Sequence, residues 1–225
     1  MSLQVRIGAL AALALVVVAG AVALGQRSGS GESAAAARRM FAGIPEHGVS
    51  LGSREAPATL IEFADLQCPF CATYSRDVLP TVIDRYVRTG RLRLELRVLP
   101  FLGEDSARAG AMAAAAARQD RMWPFVDAFY RNQGRENSGY VTDGFLARIA
   151  GETPGLDVSL ASEDRDRPQA RHMLEESDRL ARELAADFTP AFYVRRGTGR
   201  PRPVQPADLT PDAFTAALDA ALPAR

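Results

Sequence analysis

The chain's two cysteines stand in one motif, Cys68-Pro69-Phe70-Cys71, and this motif constrains the fold more than any other feature. It follows the short apolar run Ala58 to Ala64 (ATLIEFA), rich in β-formers, and opens a stretch with helical spacing, Pro69 to Arg88. Two cysteines between a strand and a helix read as a redox pair. At a helix start Cys68 faces unpaired backbone N–H groups and the positive end of the helix dipole, and both favour thiolate over thiol. A free cysteine is only about 3 % thiolate at neutral pH, and each unit of pKa depression raises that fraction up to about tenfold. Cys68 is therefore expected to be the exposed attacking thiol. Cys71, one turn in, is expected to be the buried thiol that resolves a mixed disulfide. A structural staple is a poorer reading, because closing so short a loop removes only about 2 kcal/mol of unfolded-state entropy. A zinc site needs two further ligands, and His47 and His172 are not at suitable spacing, so no metal is expected.

Three further positions matter to this chemistry. Glu62 lies mid-strand, six residues before Cys68, and shares a face with Leu60 and Ala64 by alternation. Burial there raises a carboxyl pKa towards neutrality and lets it take the Cys71 proton. The competing readings are a carboxylate on an edge strand facing solvent, and Asp65 as the acid instead. Thr189-Pro190 precedes a second β-rich run, Ala191 to Val194, where a loop beside the disulfide is needed.

The remaining pattern gives an α/β fold. In the Pro69 to Arg88 helix, Pro69 suits the first turn, Pro80 predicts a kink and Gly90 a stop. Arg91 to Leu99 alternates as a half-exposed strand. Helices are expected over Ala107–Arg118, Met122–Asn132, Thr142–Ala150 and Gln169–Ala186, with Trp123, Phe125 and Phe129 as packing residues. Strands follow at Phe192–Arg195 and Arg202–Val204, and Thr210-Pro211-Asp212 starts a last helix. The two histidines need no role.

Composition excludes several function classes. The 27 basic residues are all arginine, which rules out lysine-dependent phosphate loops and Schiff-base enzymes. They balance 27 acidic residues, so net charge makes no case for nucleic acid or an acidic membrane surface.

Residues 1–25 carry the apolar run Ile7 to Gly25, preceded by Arg6. As a helix it spans about 28 Å, close to a ~30 Å hydrocarbon core. We expect a signal anchor, with cleavage near Ala23 at Ala21-Val22-Ala23 as the alternative. Either way the rest of the chain lies outside the cytoplasm: on the cell membrane behind a single N-terminal span, or secreted or periplasmic after cleavage. Residues 26–42 read as a flexible linker and 43–225 as the folded domain.

The stretch Ala56 to Ser75 (APATLIEFADLQCPFCATYS) resembles the active-site segment of the DsbA-like thiol-disulfide oxidoreductases, especially their membrane-tethered extracytoplasmic branch. Gly103 to Arg118, Met122 to Gln133 and Phe188 to Val194 (FTPAFYV) are similar to the family's inserted helices and cis-proline loop. The resemblance implies a thioredoxin fold with an inserted α-helical domain over about 104–187. It implies Cys68 as nucleophile, Cys71 as resolving thiol, Glu62 as buried acid, and Thr189 and Pro190, beside Pro69 and Phe70, against substrate. It further implies no cofactor beyond the redox-active disulfide, unfolded exported proteins as substrates, and a membrane quinone-linked thiol oxidase as reoxidant. Two departures stand out. Phe188 replaces a glycine common before Thr-Pro, and Phe70 replaces the histidine of strongly oxidising members. Phe70 offers no hydrogen bond or charge to Cys68, so a less oxidising couple is expected. A reductase or isomerase, or a membrane-tethered binding module with an inert disulfide, is the alternative function.

Overall fold

A computed structural model describes residue 35 and residues 37–222. The apolar run Ile7 to Gly25 expected to anchor the chain lies outside the described residues. Among the described residues no helix is long and apolar enough to cross a membrane. Residues 37–41 are helical and Ala37 is buried, so ordered structure starts before the expected boundary at Gly43.

Six strands form one sheet in the order β1-β2-β4-β3-β5-β6. They are β1 (Glu46–His47), β2 (Ser50–Leu51), β3 (Ala58–Ala64), β4 (Arg93–Val98), β5 (Ala191–Arg196) and β6 (Arg202–Val204). The central strand β3 runs parallel to β4 and antiparallel to β5. All seven of its residues are buried, as a strand covered on both faces requires.

Alternation divides the sheet into two cores. Leu60 and Ala64 share one with Leu94, Leu96, Phe192 and Val194, under the helices that start at Pro69 and Pro211. The Tyr74, Phe192 and Phe214 rings meet there at centroid distances of 4.6–5.0 Å. Ile61, Phe63 and Tyr193 face the other way, onto Ala181 and Ala186. That second cover corrects the half-exposed reading of β4. Glu95 points into it and is only 4 % exposed, paired with Arg97 and, at 3.1 Å, with Arg195. A charged alternation signals solvent only when the charges lack partners inside.

Helix α1 starts at Pro69 and is composite: α-helical over Pro69–Thr73 and Leu79–Val82, π-helical over Tyr74–Val78 and Ile83–Val87. The proline at position 80 widens this helix without breaking it. The Leu79 N–H reaches back to the Tyr74 carbonyl, so the turn is already wide where Pro80 has no N–H to give. Gly90, at φ +70°, closes the helix.

Five helices connect β4 to β5: α2 (Glu104–Ala117), α3 (Met122–Arg131), α4 (Asp143–Glu152), α5 (Val158–Asp164) and α6 (Pro168–Leu184). Thr142 and Asp157 cap α4 and α5 through the N–H groups of Phe145 and Leu160. The seven-residue α5 and the β1–β2 hairpin had no expectation in the sequence. α6 returns to the sheet and covers its second face, where Tyr193 donates its hydroxyl to the Leu184 carbonyl at 2.9 Å. α7 (Pro211–Ala221) is capped by Thr210 and ends the described chain.

Candidate active site

The site forms where β3 ends and α1 begins. Cys68 is the N-cap residue of α1, so its sulfur meets the first free N–H groups of the helix. Both cysteines are free thiols. Cys68 was expected to be exposed, yet only 5 % of it is, and Cys71 is fully buried. The cover comes from the loop before β5: Cys68 Sγ donates to the Thr189 carbonyl at 3.3 Å, and the Thr189-Pro190 bond is cis. Phe70 and Phe188 stand out beside the sulfur, 64 % and 59 % exposed. With Leu184, Thr189, Pro190 and Leu209 they line a groove of about 860 Å³.

The environments of the two thiols drive them apart. A hydrogen bond from the Cys71 thiol is the largest influence on Cys68; the Cys71 and Phe70 N–H groups and the Thr189 side chain add to it, and burial opposes it. The result is a Cys68 pKa of about 6, against an ordinary 9.0. Burial pushes Cys71 well above 9.0, with its hydrogen bond to Cys68 and the Cys68 and Glu62 charges adding to the effect.

Glu62 lies under this pair on the strand that carries it. Its neighbours across the sheet are Leu96 and Phe192. β3 is central, so the edge-strand reading fails. Burial alone raises the Glu62 pKa to about 8. Its carboxyl makes no side-chain hydrogen bond among the described residues. The nearby Tyr74 hydroxyl, whose own pKa burial and the Glu62 charge raise, also lacks a partner.

Asp65, the competing acid, is corrected to a structural role. Oδ1 accepts from the Gln67 N–H (2.8 Å) and the Ser106 hydroxyl (2.6 Å). Oδ2 accepts from the Phe101 and Leu102 N–H groups, both at 3.0 Å. These four donors tie the end of β3 to Gln67, to the loop before α2 and to Ser106 of α2.

Sequence reasoning missed the frame around the motif. Gln133 Nε2, just past α3, donates to the Leu66 and Cys68 carbonyls at 2.7 and 3.2 Å. The Tyr130 hydroxyl donates to the Asp65 carbonyl at 3.1 Å. Gln67 joins Ser106 to Asn137, accepting the Asn137 N–H at 2.7 Å. The helical block thus fixes the turn from above. Glutamines at helix ends carry no local signal; only their adjacency to Cys68 in sequence (Gln67) or to the α3 terminus (Gln133) hinted at it.

Known proteins are similar to this chain in sequence and in fold. A family model described as "Thioredoxin" matches residues 45–220. The "Probable disulfide bond formation protein D" of Bacillus cereus is 30 % identical over 155 residues, covering 68 % of this chain and 72 % of the relative. The "Disulfide bond formation protein D" of Bacillus subtilis is 25 % identical over 146 residues, 64 % of this chain and 66 % of the relative. Among solved structures, oxidised BdbD from Bacillus subtilis superposes with a TM-score of 0.66 at 21 % identity, covering 77 % of this chain and 91 % of that one. A thioredoxin-like oxidoreductase from Silicibacter pomeroyi gives 0.60 at 28 % identity, over 82 % and 96 %. Enzymes of this kind work through a redox-active cysteine pair without an external cofactor. With the thiol pair, the split pKa values and these relatives together, the chain belongs to the thioredoxin family and is a DsbA-like thiol-disulfide oxidoreductase.

Proposed function

We propose that this protein donates disulfides to exported proteins outside the cytoplasm through Cys68 and Cys71. The observation that carries the direction is the depressed Cys68 pKa of about 6. In the oxidised enzyme a substrate thiolate attacks Cys68 Sγ; the Cys68–Cys71 bond breaks and Cys71 leaves. Cys71, whose own pKa is high, takes a proton, and Glu62 beneath it is the group we assign to supply it. A second substrate thiolate then attacks the substrate sulfur of the mixed disulfide. The substrate gains a disulfide, and Cys68 departs with the electron pair as a stable thiolate. A low leaving-group pKa speeds that last step and stabilises the reduced enzyme, which makes the pair an oxidant.

Thr189 and Pro190, with Pro69 and Phe70, are the proposed substrate contacts, and the adjoining groove suits an extended apolar segment of an unfolded chain. Reoxidation falls to a membrane quinone-linked thiol oxidase, in keeping with residues 1–25 acting as a signal anchor and a linker that gives way to the catalytic domain at the helix over residues 37–41, ahead of Gly43. Phe70, exposed and uncharged beside Cys68, is the one feature that favours the runner-up, a reductase or isomerase.

Titration of the couple in glutathione buffers decides between them. A potential at or above about −180 mV is expected for the oxidant; a value near about −270 mV overturns it in favour of a reductant. In the same work Cys71→Ser should accumulate mixed disulfides through Cys68 and Cys68→Ser should lose all turnover; a Cys68→Ser protein that keeps its turnover would remove Cys68 as the nucleophile.

A further inference from the structure

The groove beside Cys68 is not lined by apolar groups alone. With Phe70, Phe188 and Thr189 it is bordered by Arg200, on the connection into β6, and by Arg202, on β6 itself. Both side chains are exposed. The other two arginines of this hairpin are committed. Arg195 pairs with Glu95 at 3.1 Å, and Arg196 donates to the Ala221 and Leu222 carbonyls at 2.7 and 3.1 Å. Arg200 and Arg202 have no ion-pair or side-chain hydrogen-bond partner among the described residues. The one acid among the lining residues is Asp208, and its Oδ1 already accepts from the Thr210 N–H and hydroxyl at 2.9 and 2.6 Å.

The backbone of this wall argues for recognition by side chains. β6 is the last strand of the sheet and pairs with β5 alone. An open edge ordinarily offers outward N–H groups to an incoming strand. In a paired edge strand a proline stands where its N–H would face outward, and in β6 that place belongs to Pro203, between Arg202 and Val204. Pro201 and Pro206, on either side of the strand, also lack an N–H. A bound segment gets no ladder donor from the middle of β6. What the wall presents to it is apolar surface and two guanidinium groups.

We infer that Arg200 and Arg202 select substrate segments that carry an acidic side chain a few residues from the cysteine being oxidised. The inference rests on the disulfide-donor reading above and names the substrate class of that same site. The strand register sets the spacing. Arg202 lies opposite Val194, four residues along β5 from Pro190, hence about 13 Å away at about 3.3 Å per residue. An extended segment whose sulfur meets Cys68 beside Thr189 and Pro190 covers that distance in four residues, and the arginine side chain reaches back along it. Carboxylates at the third and fourth positions from the substrate cysteine therefore meet guanidinium groups, which bind a carboxylate through two parallel N–H donors. The same two arginines border a second cleft of about 700 Å³ towards α7. That cleft closes on the C-terminal end of α7, whose partial negative charge disfavours a carboxylate, so the acid is held on the Cys68 side.

The test uses the full-length protein, oxidised, in a nonionic detergent. Three dithiol peptides of one sequence carry glutamate, glutamine or lysine at the third and fourth positions outside each cysteine. The second-order rate constant for oxidation of each is divided by its value with 2-hydroxyethyl disulfide, an uncharged oxidant, which cancels the effect of charge on the peptide's own thiols. At about 50 mM salt the glutamate peptide is expected to lead the glutamine peptide by about tenfold, at about threefold per arginine, with lysine last; at about 500 mM salt the lead should shrink to about twofold. Arg200→Gln with Arg202→Gln should level the three peptides. Arg200→Glu with Arg202→Glu should put the lysine peptide first, a gain that a misfolded protein cannot give. Equal normalised rates in the parent, as expected of arginines that only guard a sheet edge, overturn the inference, and so does a ranking that the substitutions leave untouched. A parent that oxidises none of the three defeats the disulfide-donor reading instead. The ranking is then read on reduction of the same peptides' disulfide forms, normalised to 2-mercaptoethanol, where selection by the two arginines requires the same order and equal rates overturn it.

Discussion

Glu62, within β3, and Asp65, just past its end, lie three residues apart, and the fold uses them in opposite ways. Asp65 is surrounded by donors, whereas Glu62 is buried with none among the described residues. Because its folded pKa is raised to about 8, neutral Glu62 favours the folded state. That advantage is complete below its unfolded value near 4.5 and is lost as pH rises through about 8. A Glu62→Gln protein has no such loss. Its stability relative to the parent should grow by up to a few kcal/mol between about pH 5 and about pH 8.5, read from unfolding midpoints of the reduced proteins. Its mixed-disulfide resolution should also lose the pH dependence seen in the parent; superimposable profiles for the two proteins would remove Glu62 from the proton path. Phe70 is the second residue of interest. Replacing it by histidine adds a donor and positive charge in the first turn of α1. Each unit fall in the Cys68 pKa should raise the potential by about 30 mV, and an unchanged potential would show that this position does not reach the sulfur.

At the scale of elements, what could be read from the sequence followed local periodicity and punctuation. β3 and β6 match their expected bounds, and α7 begins behind Thr210-Pro211 as its cap signal required. The burial of Glu62 was legible because alternation places it on the Leu60–Ala64 face. Other features depended on contacts distant in sequence. β1 and β2 have two residues each and exist only because β4 and Trp123 hold them; Trp123 donates its ring N–H to the Val49 carbonyl at 3.1 Å. The cover on Cys68 comes from Thr189, more than a hundred residues away. The position of Asp65 likewise depends on α2 and the loop before it, which no spacing near the strand reveals. Asp65→Ala should therefore destabilise the protein by about 3 kcal/mol or more, since it strands buried N–H groups of that loop, while leaving the pH dependence of resolution intact. A variant that folds normally but loses that pH dependence would return Asp65 to the chemistry.

Across the whole molecule, equal totals of basic and acidic residues conceal an uneven distribution. Residues 195–202 hold four arginines and no acid, and the β5–β6 connection gathers them on one hairpin. Two of them, Arg200 and Arg202, line the same groove as Phe70, Phe188 and Thr189 beside the redox pair. Arg88, at the foot of α1, donates to the Arg39, Met40 and Ala42 carbonyls ahead of β1. In mechanical terms it is a cleat. Tension applied to the chain ahead of residue 39 is loaded onto a long helix along its axis, while the short β1–β2 hairpin next in sequence is bypassed. A domain pulled from that side should resist until this clamp shears, and the turn carrying Cys68 should keep its shape under loads that would peel a strand from a sheet edge.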